Sequence, residues 1–261
     1  MQPVCLITGA SVGIGAELAR VFASHGHALV LTARNKAKLD SLAADVAAAG
    51  HTHPKVITAD LTLHDAPARL AEELHAAGLE PAIVVNNAGF GLLGAAADLP
   101  QDQELAMIDL NVRALTDLSL RWLDSVTRHR GGILNVASVA GFMPGPGMAV
   151  YHASKAYVLS FTEALHAELK ASGVRVCALC PGPVETEFFD RAGMPPDYFP
   201  KFIARSAERV AREGYAGFMA GHRVVVPGTL NRITTLLPRL LPRAVMLAMI
   251  QWRWNRSKDL G

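Results

Sequence analysis

Seven short runs dominated by Val, Ile and Leu punctuate the chain: VCLITGA, ALVLTAR, KVITADL, AIVVNNAG, GGILNVAS, VRVCALCPG and HRVVVPG. Their apolar character is nearly continuous rather than alternating, as it is in strands buried on both faces. Between them lie stretches with helical spacing, such as residues 17–24, 36–49 and 65–77. Alternation of this kind predicts right-handed βαβ crossovers and an α/β fold with a seven-stranded, mostly parallel sheet covered by helices on both sides. No repeat or low-complexity linker divides the chain. One doubly wound domain is expected over residues 1–228, with 229–261 as a C-terminal extension of it. Ligands of such sheets bind outside the carboxyl ends of the strands, so the polar residues that close these runs are the place to look for chemistry.

The first run closes in TGASVGIG, Thr8 to Gly15, where a helix is predicted to begin at about Gly15. Gly9, Gly13 and Gly15 remove side chains that would hold a pyrophosphate off the backbone. A helix N-terminus there supplies free N–H groups and the positive end of its dipole. Further on stands YHASK, with Tyr151 and Lys155 four residues apart and so on one helical face. A free phenol has a pKa of about 10, and a neighbouring ammonium favours the phenolate. The expectation is therefore a tyrosine with a lowered pKa, acting as acid towards a ketone or as base towards an alcohol. Ser138 closes the fifth run, where its hydroxyl is placed to hold a substrate oxygen. Asn111, in IDLNVRA, offers an amide to anchor a water joined to the lysine.

The G-x-x-x-G-x-G spacing, NNAG at Asn86–Gly89, PGPVET at Pro181–Thr186 and the order Asn111, Ser138, Tyr151, Lys155 together resemble the short-chain dehydrogenase/reductase family. The resemblance covers residues 4–186 and implies a Rossmann-like fold with direct hydride transfer and no metal. It also implies that Thr8, Gly9, Ser11, Gly13, Ile14 and Gly15 cradle the cofactor, and that Asp60 and Leu61 contact its adenine. Asn87, Ala88 and Gly89 would line the groove. Pro181, Gly182, Val184 and Thr186 would bind the cofactor, Val184 and Thr186 at the nicotinamide carboxamide, as would Tyr151 and Lys155, with Lys155 on the nicotinamide ribose hydroxyls. Ala33 stands where members that use NAD carry Asp, and Arg34 follows it. A guanidinium suits a 2′-phosphate, so NADP(H) is favoured, with NAD(H) as the alternative. Val12 stands where family members often carry a second basic residue.

Composition narrows the partners. The 261 residues are 51% hydrophobic and 18% charged, with a net charge of +2, against roughly 25% charged in an average domain. Nucleic acid is not expected, and no apolar stretch reaches the ~18 residues that would span a membrane. A cytoplasmic chain is expected. Cys177 and Cys180 form C-x-x-C, but within a strand an odd separation points them to opposite faces, so core packing is expected. The ten histidines are scattered, and no metal site is expected.

Residues 187–205 carry Phe188, Phe189, Met194, Tyr198 and Phe199 among Gly and Pro, as a loop folding over an apolar substrate would. Ser206 reads as the cap of a following helix. From Thr229 to Lys258 the chain holds five arginines, one lysine, Trp252, Trp254 and no acid. Such a segment suits a subunit interface, a wall of the pocket or an anionic membrane surface. Pro238 and Pro242 are expected to interrupt it. The leading reading is an NADP(H)-dependent oxidoreductase acting on a moderately large apolar ketone, 3-oxoacyl or steroid-like substrate, as a homodimer or homotetramer. The alternatives are a catalytically idle NADP(H)-binding sensor or interaction protein, and a membrane-associated scaffold.

Overall fold

All seven apolar runs form strands: β1 (Gln2–Thr8), β2 (Leu29–Ala33), β3 (Lys55–Thr58), β4 (Leu79–Asn86), β5 (Gly132–Val136), β6 (Arg175–Leu179) and β7 (Val224–Val225). In this computed structural model, which describes residues 1–195, 198–199 and 203–258, they make one sheet in the order β3-β2-β1-β4-β5-β6-β7. Every pairing is parallel, so the expected mostly parallel, Rossmann-like sheet is parallel throughout. The order reverses between β1 and β4, which opens a crevice at their carboxyl ends.

Helices α1 (Gly13–Ser24), α2 (Lys36–Ala48) and α3 (Ala66–Ala76) fall where the spacing predicts them, α1 starting two residues before Gly15. The segment after β4 is broken into α4 (Gln101–Ile108), a π-helical turn (Asp109–Ala114), α5 (Leu115–Arg121) and α6 (Leu123–Arg128). After β5, a 3-10 turn (Val139–Phe142) leads to α7 (Ala149–Leu169). A short α8 (Phe188–Arg191), α9 (Ala207–Met219), α10 (Thr229–Leu240) and α11 (Arg243–Lys258) complete the described chain. Ser206 caps α9 as expected, its Oγ accepting from the Arg209 N–H at 3.3 Å.

The alternation of side chains along each strand feeds two cores. Ile7, Leu31, Val85, Leu134 and Leu179 pack against Leu18, Phe22, Leu39 and Phe218 of α1, α2 and α9. On the other face Leu6, Val30, Val84 and Ile133 meet Leu70 of α3, Leu118 of α5, Trp122 and Leu165 of α7. Each large side chain buried this way is worth roughly 1.5–3 kcal/mol. Cys177 joins the first core, while Cys180 packs with Val158 and Leu159 on the α7 side. Opposite faces were expected of them and are found; with Cys5 they are free, buried thiols. Burial pushes the Cys177 thiol up to about 12 and raises Cys5 and Cys180 as well.

A buried polar chain crosses the second face behind the strand ends. The Asn86 amide donates to Asn135 Oδ1 at 2.9 Å and to Ser119 Oγ at 3.0 Å, and the Asn135 amide donates to Thr162 Oγ1 at 3.0 Å. Paired polar groups of this kind fix geometry, because a slipped register would leave them unsatisfied. β4, β5, α5 and α7 are held in register just below the crevice.

The C-terminal segment differs from expectation at one proline. Pro238 lies inside α10, and the helix continues to Leu240 before breaking at Leu241–Pro242. So close to the helix end, Pro238 disturbs only the last turn. The helix packs Asn231 against Gly182, and α11 lays Trp254 on Gly147. Among the described residues no helix is long and apolar enough to cross a membrane.

Candidate active site

The carboxyl ends of the strands border a cleft of about 940 Å³. Its floor is built by the turn after β1. Gly9 and Gly13 have positive φ (64° and 58°), and space is as strict as conformation. A Cβ on Gly9 would lie 2.8 Å from the Ala88 backbone, one on Gly13 2.9 Å from Thr186, and one on Gly15 inside the Gly9 carbonyl. The turn is pinned from β4: the Asn87 amide donates to the carbonyls of Thr8 (3.0 Å) and Gly9 (3.1 Å). Thr8 Oγ1 accepts from the Asn87 and Ala88 N–H groups at 3.0 Å each. Helix α1 then opens at Val12 with no side chain capping its first N–H groups.

Most of the residues expected in the site share this cleft. Gly9, Ser11, Gly13 and Ile14 line its floor, Arg34, Asp60 and Leu61 its β2–β3 end, and Asn87, Ala88 and Gly89 its centre. Ser138, Tyr151, Lys155, Pro181, Gly182, Val184 and Thr186 line the opposite wall. Three do not line it. Thr8 and Gly15 sit behind the floor and hold its shape. Asn111 is fully buried behind Gly89, and both N–H groups of its amide are already committed. Its Nδ2 donates to Phe90 O (2.9 Å) and Ser154 Oγ (3.1 Å), while Oδ1 accepts the Phe90 N–H (3.1 Å). Asn111 is a staple between the loop after β4 and α7, presented by the π-helical turn.

Tyr151 and Lys155 lie one turn apart on α7, with Lys155 Nζ 5.9 Å from the phenol ring centre. Nζ donates to Val136 O at 2.8 Å. Ser138 Oγ accepts from the Ala140 N–H at 3.1 Å and lines the cleft with Tyr151, whose pKa it pulls down. The electrostatics correct the expectation drawn from spacing. The Tyr151 phenol is pushed up to about 12, because burial outweighs the opposing pull of Ser138. Burial likewise draws the Lys155 ammonium down to about 8. Burial disfavours the charged form of each group, so Tyr151 stands as a protonated phenol at neutral pH.

The other end of the cleft is apolar. Phe188, Phe189, Met194, Tyr198 and Phe199 of the 187–205 segment line it, as expected; Pro196, Asp197, Pro200, Lys201 and Phe202 lie outside the described residues. Met148 and His152, to which the chain pattern did not point, line it too, as do Ile250 and Trp254 of the C-terminal segment, for which a wall of the pocket was one expectation. His152 Nδ1 donates to Met143 O at 2.8 Å, and burial lowers its pKa, which keeps the ring neutral. At the cleft edge Glu187 ties the two ends together, accepting from Lys38 of α2 at 2.6 Å and from Arg191 at 2.9 Å. Arg34, at the β2 end, is exposed and has no ion-pair partner among the described residues.

These residues fit a nicotinamide dinucleotide: a side-chain-free cradle with uncapped helix N–H groups for the pyrophosphate, a free cation at the β2 end, and a phenol and ammonium at the other. The comparisons with known proteins agree. Residues 3–194 match the family model described as short chain dehydrogenase. The chain is 39% identical over 194 residues to sulfoacetaldehyde reductase 2 of Chromohalobacter salexigens, covering 72% of this chain and 75% of that one. A short-chain dehydrogenase from Sphingobium yanoikuyae in complex with NADPH superposes with a TM-score of 0.81 at 35% identity, over 90% of this chain and 91% of that one. A bulky-bulky ketone specific alcohol dehydrogenase from Comamonas testosteroni does so with a TM-score of 0.75 at 30% identity, over 94% and 96%. Strand order, glycine turn and sequence matches converge: the chain belongs to the short chain dehydrogenase family of oxidoreductases.

Proposed function

We propose that the protein is an NADP(H)-dependent carbonyl reductase for moderately large apolar ketones. The observation that carries this is the grouping of Ser138, Tyr151 and Lys155 on one wall at the junction of the glycine cradle and the apolar half of the cleft, with Lys155 Nζ 5.9 Å from the phenol ring centre. Bound there, the cofactor supplies a hydride to the carbonyl carbon. Tyr151 holds the proton that the carbonyl oxygen takes up, and its raised pKa keeps that proton in place at neutral pH. Ser138 orients the oxygen against the phenol. Lys155 favours the phenolate left behind while it keeps its charge, and its position suits the cofactor ribose hydroxyls. Asn111, through Phe90 and Ser154, positions the loop and helix that carry these groups.

Arg34 is the reason for NADP(H). An exposed guanidinium after Ala33, where β2 ends without a carboxylate, supports it over NAD(H). The substrate class follows from the lining: aromatic rings, Met148, Met194 and a neutral His152 offer no cation to an anionic substrate. Arg191 is already paired with Glu187. Turnover of sulfoacetaldehyde is therefore expected to be poor beside that of a bulky aryl or steroid-like ketone. A homo-oligomer belongs to the same reading, since Leu105, Ile108, Leu120 and Tyr157 leave exposed apolar side chains on α4, α5 and α7.

The test is NADPH oxidation over a panel of apolar ketones, 3-oxoacyl thioesters and sulfoacetaldehyde, with a Tyr151→Phe variant beside the wild type. Loss of ketone reduction in the variant, with NADPH binding retained, supports the reading. Tight NADPH binding without turnover of any panel member would favour the idle sensor.

A further inference from the structure

Helix α10 is turned inside out. Its polar Asn231 and Thr235 are each 6% exposed and face the body, Asn231 against Gly182 with its amide donating to Pro227 O at 2.9 Å. Its apolar residues face away: Leu230, Ile233, Leu236 and Leu237 are all exposed, Ile233 by 53% and Leu236 by 50%. At 100° per residue these four fall within one arc of roughly 120°. Helix α11 is apolar on two opposite sides. Met246, Ile250 and Trp254 turn inward, Ile250 and Trp254 against the cleft. Val245, Met249 and Trp252, on the far side, are exposed, Trp252 by 63%.

A helix that is apolar all round, or apolar outward, calls for a cover other than water. Charge identifies the cover. From Thr229 to Lys258 there are six cations and no acid. Arg232 and Arg243 are exposed; the side chains of Arg239, Arg253, Arg256 and Lys258 lie outside the described residues. Two copies of this segment meeting about a two-fold axis would set arginine against arginine with no carboxylate of the segment between them. An anionic lipid surface satisfies both features at once: acyl chains cover the leucines and tryptophan, and headgroup phosphates pair with the arginines. We propose that α10 and α11 dock the protein peripherally on anionic bilayers. The inward face of α11 is left to wall the cleft and that of α10 to pack on the body, while the outward faces are sunk in the headgroup region. This rests on the outer surface alone and holds whatever the enzyme reduces.

The experiment is sedimentation of the full chain with vesicles of phosphatidylcholine alone and of phosphatidylcholine with phosphatidylglycerol, at low and high salt. Light scattering of the free protein runs alongside. Binding roughly tenfold or more tighter to the anionic vesicles, weakening with salt, is expected. An Ile233→Asp/Leu236→Asp variant should lose that binding, yet keep its circular dichroism and its NADPH-dependent turnover of a water-soluble ketone. Met249→Asp, on the other helix, should weaken binding independently should the double variant misfold. No preference for anionic vesicles would overturn the proposal. So would a wild-type oligomer that the double variant converts to monomer, which would make the face a subunit contact.

Discussion

At the scale of single residues, Tyr151 and Arg34 carry the functional reading, and each makes a prediction with a sign. A phenol pushed up to about 12 is fully protonated across the neutral range, so ketone reduction should be nearly flat with pH there. Alcohol oxidation needs the phenolate, whose fraction rises about tenfold per pH unit below the pKa. The oxidation rate should therefore climb from neutral to alkaline pH, with the gain easing as Lys155 loses its charge above about 8. Paired pH profiles of the forward and reverse reactions check this; an oxidation rate already level at neutral pH would refute it. At the β2 end, Arg34→Asp should raise the KM for NADPH by about 10- to 100-fold, the ~1.5–3 kcal/mol of a charge-assisted hydrogen bond. The KM for NADH should stay level or fall. Equal effects on the two cofactors would remove Arg34 from 2′-phosphate recognition.

At the scale of elements, the most consequential piece is the π-helical turn at Asp109–Ala114. It carries Asn111 into the core, where three hydrogen bonds join it to Phe90 and Ser154. Asn111→Ala would leave the partly buried Phe90 N–H and C=O without these partners, at up to about 1–3 kcal/mol each. A drop of several degrees in Tm and a fall in kcat are expected, read by calorimetry and single-turnover rates. The Lys38–Glu187 pair is a weaker fastener. Both side chains are partly exposed, so Glu187→Gln should speed NADPH release by less than about fivefold, in line with the ~0–1 kcal/mol of such pairs. The strands were legible beforehand because parallel strands buried on both faces show unbroken Val, Ile and Leu. The cradle was legible because glycines at fixed offsets leave no alternative geometry. The π-helical turn was hidden, since a change in hydrogen-bond register has no compositional mark. The direction of the Tyr151 shift was hidden too: the four-residue spacing announces the nearby ammonium but not how deeply both groups are buried.

At the scale of the whole molecule, the chain closes its own pocket from its far end. Gly147 has φ 81° and lies against the Trp254 indole, which a Cβ would overlap. Residues more than a hundred positions apart thus shape the apolar half of the cleft, a contact that periodicity within either segment could not announce. Gly147→Ala should displace α11 and raise the KM for bulky ketones while leaving that for a small ketone unchanged, which steady-state kinetics on the two would resolve. The same closure gives α11 an inner face that serves the cleft, while the outer faces of α10 and α11 stay apolar. Sulfur chemistry supplies a last consequence. Cys5, Cys177 and Cys180 are sealed in the two halves of the core and held as thiols. In the native protein they should ignore maleimides and disulfide reagents, and their labelling would time the opening of the central sheet. A cysteine placed at an exposed site such as Leu63 would then be the lone handle for a dye, with no native residue first removed.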